Sequence, residues 1–179
     1  MLDLTQNYFE LFGLPVGFDV DPDSLTERYR DLQRVVHPDR YASGTEQERR
    51  LSMQGATYLN EALETLRDPL LRAHYLLRLK GAEPDPRHGQ PMAPAFLMEQ
   101  MELREELAEL RDRPDPLAAA GEFIARVGGR VDAVVGRLGE RFAADTLPAA
   151  AELVRELQFL RKLQVEAENL EAELEDELL

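Results

Sequence analysis

The residues best equipped for chemistry stand together at His37-Pro38-Asp39. Proline has a fixed φ and no N–H, and it drives the preceding residue out of the α region, so a helix running up to Val36 should stop at about His37. An imidazole and a carboxylate then project from a turn rather than from a helix face. Turns carried on a rigid scaffold are where binding groups usually sit. Three readings fit the pair: a docking point for a protein partner, two ligands of a metal-dependent hydrolase, or a helix stop with no chemistry at all. The metal reading is poorly supplied, because His37, His74 and His88 lack ligand spacing and the chain has no cysteine. No paired-carboxylate, Ser/His/Asp or phosphate-loop arrangement appears elsewhere. The expectation is a protein that is not an enzyme and carries no metal or cofactor.

Such a turn needs elements to carry it, and the composition allows them. With 179 residues and 44% hydrophobic side chains, the chain is long enough for one medium domain or two small ones with real cores. Met1-Leu2-Asp3-Leu4 has neither a basic region nor a long apolar run, and no stretch approaches the roughly 18 apolar residues of a membrane span. These features suggest a soluble cytoplasmic protein, bacterial rather than organellar. A net charge of -14 argues against nucleic acid and anionic membranes as partners, since both require a basic face. The charge is uneven: residues 1–80 hold 10 basic and 13 acidic side chains, and residues 81–179 hold 11 and 22. Two parts with different electrostatics suggest two different partners.

The first eighty residues read as helical, with no strand alternation to compete. Tyr8-Phe9-Glu10-Leu11-Phe12 is a short apolar segment closed by Gly13 and Pro15. Asp21-Pro22-Asp23-Ser24 supplies a cap, a proline at the first helical position and acid in the first turn. The helix that follows buries Leu25, Tyr29, Leu32 and Val36 on one stripe, which places Arg30 and Arg34 on the opposite face. Those arginines are either a solvated face tied by Glu27 and Asp31, or a basic surface that steers an acidic partner toward the His37 turn. Thr45-Glu46-Gln47-Glu48 matches a capping box and starts a long helix to about Arg67. Asp68-Pro69 caps another, stopped by Gly81. The second and third helices should form an antiparallel hairpin with His37-Pro38-Asp39 at its tip.

A short first helix, a basic-faced second helix, His37-Pro38-Asp39 in the next loop and a long third helix together resemble the J-domain of DnaJ-type co-chaperones. More closely, Tyr8-Phe9-Glu10-Leu11-Phe12-Gly13-Leu14-Pro15, His37-Pro38-Asp39-Arg40-Tyr41-Ala42-Ser43-Gly44 and Thr65-Leu66-Arg67-Asp68-Pro69-Leu70 resemble the HscB family, the J-proteins of iron-sulfur cluster assembly. Arg40-Tyr41 stands where that family commonly has Lys-Phe, which keeps charge and aromatic bulk. The resemblance implies a J-domain over residues 1–80. It also implies that His37, Pro38 and Asp39, with Arg30, Arg34, Arg28 and Arg40, dock on an ATPase chaperone of the DnaK/HscA class.

Residues 81–94 carry prolines at 84, 86, 91 and 94 without periodicity and read as a stiff linker. Residues 95–179 read as a three-helix bundle, so the fold class is all-α throughout. Its first helix should run from about Ala95 to Asp112. At about 100° per residue, Phe96, Leu103, Leu107 and Leu110 form its core stripe, while Leu97, Met98 and Met101 point away, beside Glu102, Glu105 and Glu109. Such an apolar face is covered either by a neighbouring element or by a partner. The next helix carries Phe123, Val127, Val131, Val134 and Leu138 on one face and five glycines on the other, so it must rely on packing. The last, from about Pro148, places Leu153, Leu157, Leu160, Ala167 and Leu174 at near-heptad spacing with Phe159 off that line, in the manner of an exposed anchor. The acidic run from Glu166 to Glu177 reads as a solvated, fraying end.

Phe96 to Leu107 is similar to the HscB segment that holds the cluster scaffold protein, with Met101 where leucine is usual. The resemblance implies that Leu97, Met98, Met101, Glu102, Glu105 and Glu109, with Phe159, bind an IscU-type scaffold. The expected function is then a co-chaperone that delivers the scaffold to the chaperone and stimulates its ATPase. A J-protein for another client and a purely structural helical adaptor are the alternatives.

Overall fold

The computed structural model describes residues 3–37, 44–82 and 94–177. Pro38, Asp39 and Arg40, and residues 83–93 of the expected linker with His88, lie outside the described residues. Regular structure among the described residues is entirely helical, so the chain is all-α, as the apolar periodicity predicts. It divides into two compact units, Met1–Gly81 and Ala82–Leu179.

The first unit contains α1 (Tyr8–Phe12), α2 (Pro22–Val36), α3 (Glu46–Arg67) and α4 (Pro69–Leu79). Each start is written in the local sequence. Asn7 and Glu10 form a capping box on α1, Thr45 and Glu48 form another on α3, and Asp21 caps α2 ahead of Pro22. The Ser24 hydroxyl and backbone N–H both donate to the Asp21 carboxylate and hold its pKa below the usual 3.8. Gly13 ends α1 at φ 64°, a left-handed conformation that glycine adopts without a Cβ penalty.

The α2–α3 pair is antiparallel, as two long-range hydrogen bonds establish. Ser52 Oγ of α3 donates to the Val36 carbonyl of α2 at 2.7 Å, and Tyr29 Oη donates to Asn60 Oδ1 at 2.9 Å, so numbers fall on one helix as they rise on the other. Leu25 and Val36 are buried at the two ends of the α2 stripe, with Tyr29 and Leu32 half-buried between them. Leu59, Leu66, Leu76 and Leu77 join them in the core, each worth ~1.5–3 kcal/mol relative to exposure.

Three tyrosines fasten α1 to the rest of this unit. Tyr75 of α4 stacks on Tyr8 at 4.5 Å between ring centroids, and its hydroxyl accepts from the Tyr8 N–H at 2.8 Å. Tyr58 meets the Tyr8 ring edge-on and donates to the Gln6 carbonyl. Burial raises the phenol pKa of both Tyr58 and Tyr75. Arg72 is buried as well. It lies over the Phe18 ring at 4.8 Å and donates to the Leu66 carbonyl, which ties the end of α3 to α4.

The second unit holds α5 (Pro94–Glu109), a 3-10 turn (Leu110–Asp112), α6 (Pro116–Ala143) and α7 (Leu147–Asp176). The first helix is thus shorter than the expected run to Asp112, because its last three residues tighten into the 3-10 turn ahead of Pro114. Helices α6 and α7 form a long antiparallel hairpin: Arg137 pairs with Glu156 at one level, and Gly121 faces Glu171 at another. Phe123, Val127, Val134 and Leu138 from α6 are buried, as are Leu153, Leu157, Leu160 and Leu163 from α7.

The acidic end of α7 corrects the sequence expectation. Residues 166–176 are helical rather than frayed, and Ala167 and Leu174 are buried. Arg111 in the 3-10 turn donates to Glu173 and to Glu177 at 2.6 Å each, which bridges two carboxylates and offsets half of their charge. The paired guanidinium is held above its usual pKa, chiefly by the bond to Glu177.

Candidate functional site

His37 is the last described residue before the expected docking turn. It has left the helix, with φ -58° and ψ 127°, which is the extended conformation that a following proline demands. Its side chain is exposed, while Val36 just before it is only 4% exposed. The Ser52–Val36 bond pins the last turn of α2 one residue before His37. Sequence reasoning did not single out Ser52. Its place on the buried face of α3, near the start of that helix, is the only signal that could have found it.

Arg28, Arg30 and Arg34 are all exposed on α2. Arg30 and Arg34 stand opposite the buried stripe, and Arg28 flanks it. Arg34 lies 3.3 Å from Asp31, with both side chains more than half exposed, an arrangement that contributes little to stability. Beside Arg30, a cleft of about 700 Å³ runs between α2 and α3, lined also by Tyr29, Gln33 and Arg67. The cleft opens toward the start of α2 and the end of α3, whereas Arg34 and His37 stand at the other end of α2, the end that carries the expected docking surface. The partners of that surface in the expected site, Pro38, Asp39 and Arg40, lie outside the described residues.

The other set of expected residues falls on α5. Leu103 and Leu110 are buried, and Phe96 and Leu107 are half-buried, so the core face is the one predicted. Leu97 is 43% exposed, Met98 63% and Met101 70%. Those three side chains form an apolar strip in water, framed by the exposed Glu102, Glu105 and Glu109. Glu109 approaches Arg113 at 3.7 Å. The adaptable thioethers of two methionines suit a surface that conforms to a protein partner.

Phe159 departs from the sequence expectation of an exposed anchor. It is half-buried, meeting the Phe96 ring edge-on with centroids 6.0 Å apart, while the Arg104 guanidinium covers it at 5.7 Å. Its aromatic neighbours on α5 explain the difference, since an edge-to-face pair is worth ~0.5–1.5 kcal/mol beyond area burial. Two further residues hold α5 in place. Arg126 and Arg130 of α6 pair with Glu106 and Glu99 of α5. Sequence reasoning missed these links because they join helices distant in sequence.

No group of three or more metal-binding side chains exists among the described residues. No helix among them is long and apolar enough to cross a membrane. What the two surfaces can do is bind: one presents cations and an imidazole, the other an apolar strip in an acidic frame.

The family described as the HSCB C-terminal oligomerisation domain matches residues 92–168. A curated protein of Vibrio cholerae named co-chaperone protein HscB homolog is 42% identical over 168 residues, spanning 94% of this chain and 98% of its own. The solved chaperone HscB from Vibrio cholerae superposes with a TM-score of 0.82 at 41% identity, over 97% of this chain and all of that one. The human co-chaperone protein HscB gives a TM-score of 0.85 at 32% identity, over 93% of this chain and 82% of that one.

Proposed function

The chain belongs to the HscB family of co-chaperones, a non-enzymatic class, and on that premise we propose that it is a two-ended adaptor in iron-sulfur cluster assembly. One end docks on an ATPase chaperone of the DnaK/HscA class and stimulates its hydrolysis of ATP. The other holds an IscU-type scaffold protein and delivers it to that chaperone. The observation that carries this reading is the strip of Leu97, Met98 and Met101. Three large apolar side chains stay in water on a helix whose opposite face is already committed to the core. Leaving them there forgoes ~1.5–3 kcal/mol each, which a bound partner recovers.

At the chaperone end, Pro38 aims the turn and Asp39 accepts a charge-assisted hydrogen bond from a chaperone arginine, worth ~1.5–3 kcal/mol. Arg30 and Arg34, with Arg28 and Arg40, steer the encounter with an acidic chaperone surface. At the scaffold end, Leu97, Met98 and Met101 supply apolar contact, and Glu102, Glu105 and Glu109 select a basic partner. Phe159, half-buried on α7, adds what remains accessible of its ring. Carrying both ends on one chain raises the effective concentration of scaffold at the chaperone.

Paired variants test the reading. His37→Gln or Asp39→Asn abolishes stimulation of the chaperone ATPase while the melting temperature stays unchanged. Leu97→Ala with Met98→Ala weakens binding of an IscU-type scaffold about tenfold or more and leaves basal stimulation intact. Unchanged stimulation by both turn variants would overturn the chaperone assignment. A cooperative loss of folding in the α5 double variant would show that the strip is core.

A further inference from the structure

A cleft of about 770 Å³ opens between α5 and α6, and Met98 and Glu102 form its lip. Its origin lies on one face of α6. Arg130, Ala133 and Arg137 follow one another at helical spacing, and two long guanidinium side chains so placed could cover the small residue between them. Here they are drawn apart. Arg130 is held by Glu99 of α5, and Arg137 by Glu156 of α7 at 3.4 Å. Ala133 is left exposed between them, with Val134 and Phe96 also lining the cleft.

The surroundings indicate what the cleft receives. Met98 belongs both to the cleft and to the strip of Leu97 and Met101, so the strip and the cleft share a side chain. Charge on the rim is mostly spent internally, because Glu99 and Glu156 hold the two arginines. Glu102 is the exception. It has no ion pair to another described residue, and neither has Glu105 one turn further on. A partner that enters here must therefore bring an apolar side chain and a cation next to it. A second copy of this chain meets that demand poorly, since its own α5 face would set carboxylates against carboxylates.

We infer that the notch over Ala133 is a socket for the scaffold protein, receiving a bulky apolar side chain flanked by a lysine or arginine that pairs with Glu102. This rests on the scaffold-binding reading of α5 and extends it to a second helix. Arg130 and Arg137 are positioning residues: they touch the partner little and act by keeping the notch open. Ala133 is the residue whose size admits the side chain.

The test uses the full chain and a purified IscU-type scaffold, with affinity measured by calorimetry. Ala133→Phe fills the notch from an exposed position and should weaken binding about tenfold with an unchanged melting temperature. Ala133→Ser leaves the notch open and should bind as the parent does. In the unmodified protein, the Ala133 methyl resonance should shift when scaffold is added, a readout that does not depend on how the variants fold. The inference is overturned if Ala133→Phe binds within twofold of the parent, or if the Ala133 methyl stays unmoved, while Leu97→Ala with Met98→Ala still weakens binding. Failure of that double variant to weaken binding would instead remove the scaffold reading itself, and the socket with it. A change in self-association of Ala133→Phe without any change in scaffold affinity would assign the notch to a second copy and overturn the proposal.

Discussion

At the scale of single residues, the proposed chaperone end turns on His37, which stands at the end of α2. Its backbone is extended because a proline follows, and its position in space is set one residue earlier, where Ser52 Oγ donates to the Val36 carbonyl. That bond is buried. Ser52→Ala should therefore strip a carbonyl at the helix end of its side-chain partner at a cost of about 1–2 kcal/mol. For a unit of this size the melting temperature should fall by about 4–16 °C, measurable by circular dichroism. His37→Gln should leave the same melting curve unmoved, so the two variants separate the residue that positions the turn from the residue that uses it. The imidazole was legible in the sequence because His-Pro-Asp is contiguous. Ser52 was not, since its partner lies 16 residues away and only the packing of two helices brings them together.

At the scale of elements, each helix in this chain starts where its sequence says it should, and the surprises lie at the ends and between helices. The caps at Asp21, Thr45, Asp68 and Asp115 are local in sequence, which is why the starts of α2, α3, α4 and α6 could be placed from the chain alone. The outward direction of Leu97, Met98 and Met101 was equally legible, because 100° per residue fixes which side chains share a face. The stability of the α7 end was not. A run from Glu166 to Glu177 looks like self-repelling solvent-facing chain until Arg111, more than sixty residues away, pairs with Glu173 and Glu177. Arg111→Ala should increase amide hydrogen exchange in residues 170–177 about two- to fivefold and leave exchange near Leu153 unchanged. Equal protection in the two proteins would show that Leu174 burial alone holds the end. Phe159 teaches the same lesson from the other side. Its angular offset on α7 was correct as geometry, yet Phe96 and Arg104 from α5 half-cover it.

At the scale of the whole molecule, the uneven charge of the sequence maps onto two compact units with different surfaces. The first offers a basic helix face beside an imidazole and has a net charge near neutrality. The second carries most of the negative charge and an apolar strip framed by carboxylates. Among the described residues neither surface holds a metal-binding cluster, and both suit proteins as ligands. An adaptor of this design works only if its two ends are used together, so separate tests of each end probe necessary parts of the account rather than its centre. The direct measurement is steady-state ATP turnover by a DnaK/HscA-class chaperone with this chain alone, with an IscU-type scaffold alone, and with both. Turnover with both should exceed the sum of the two separate increments, and the excess should vanish with His37→Gln and with Leu97→Ala plus Met98→Ala. Turnover that is merely additive, or that rises equally with either variant, would contradict a two-ended adaptor.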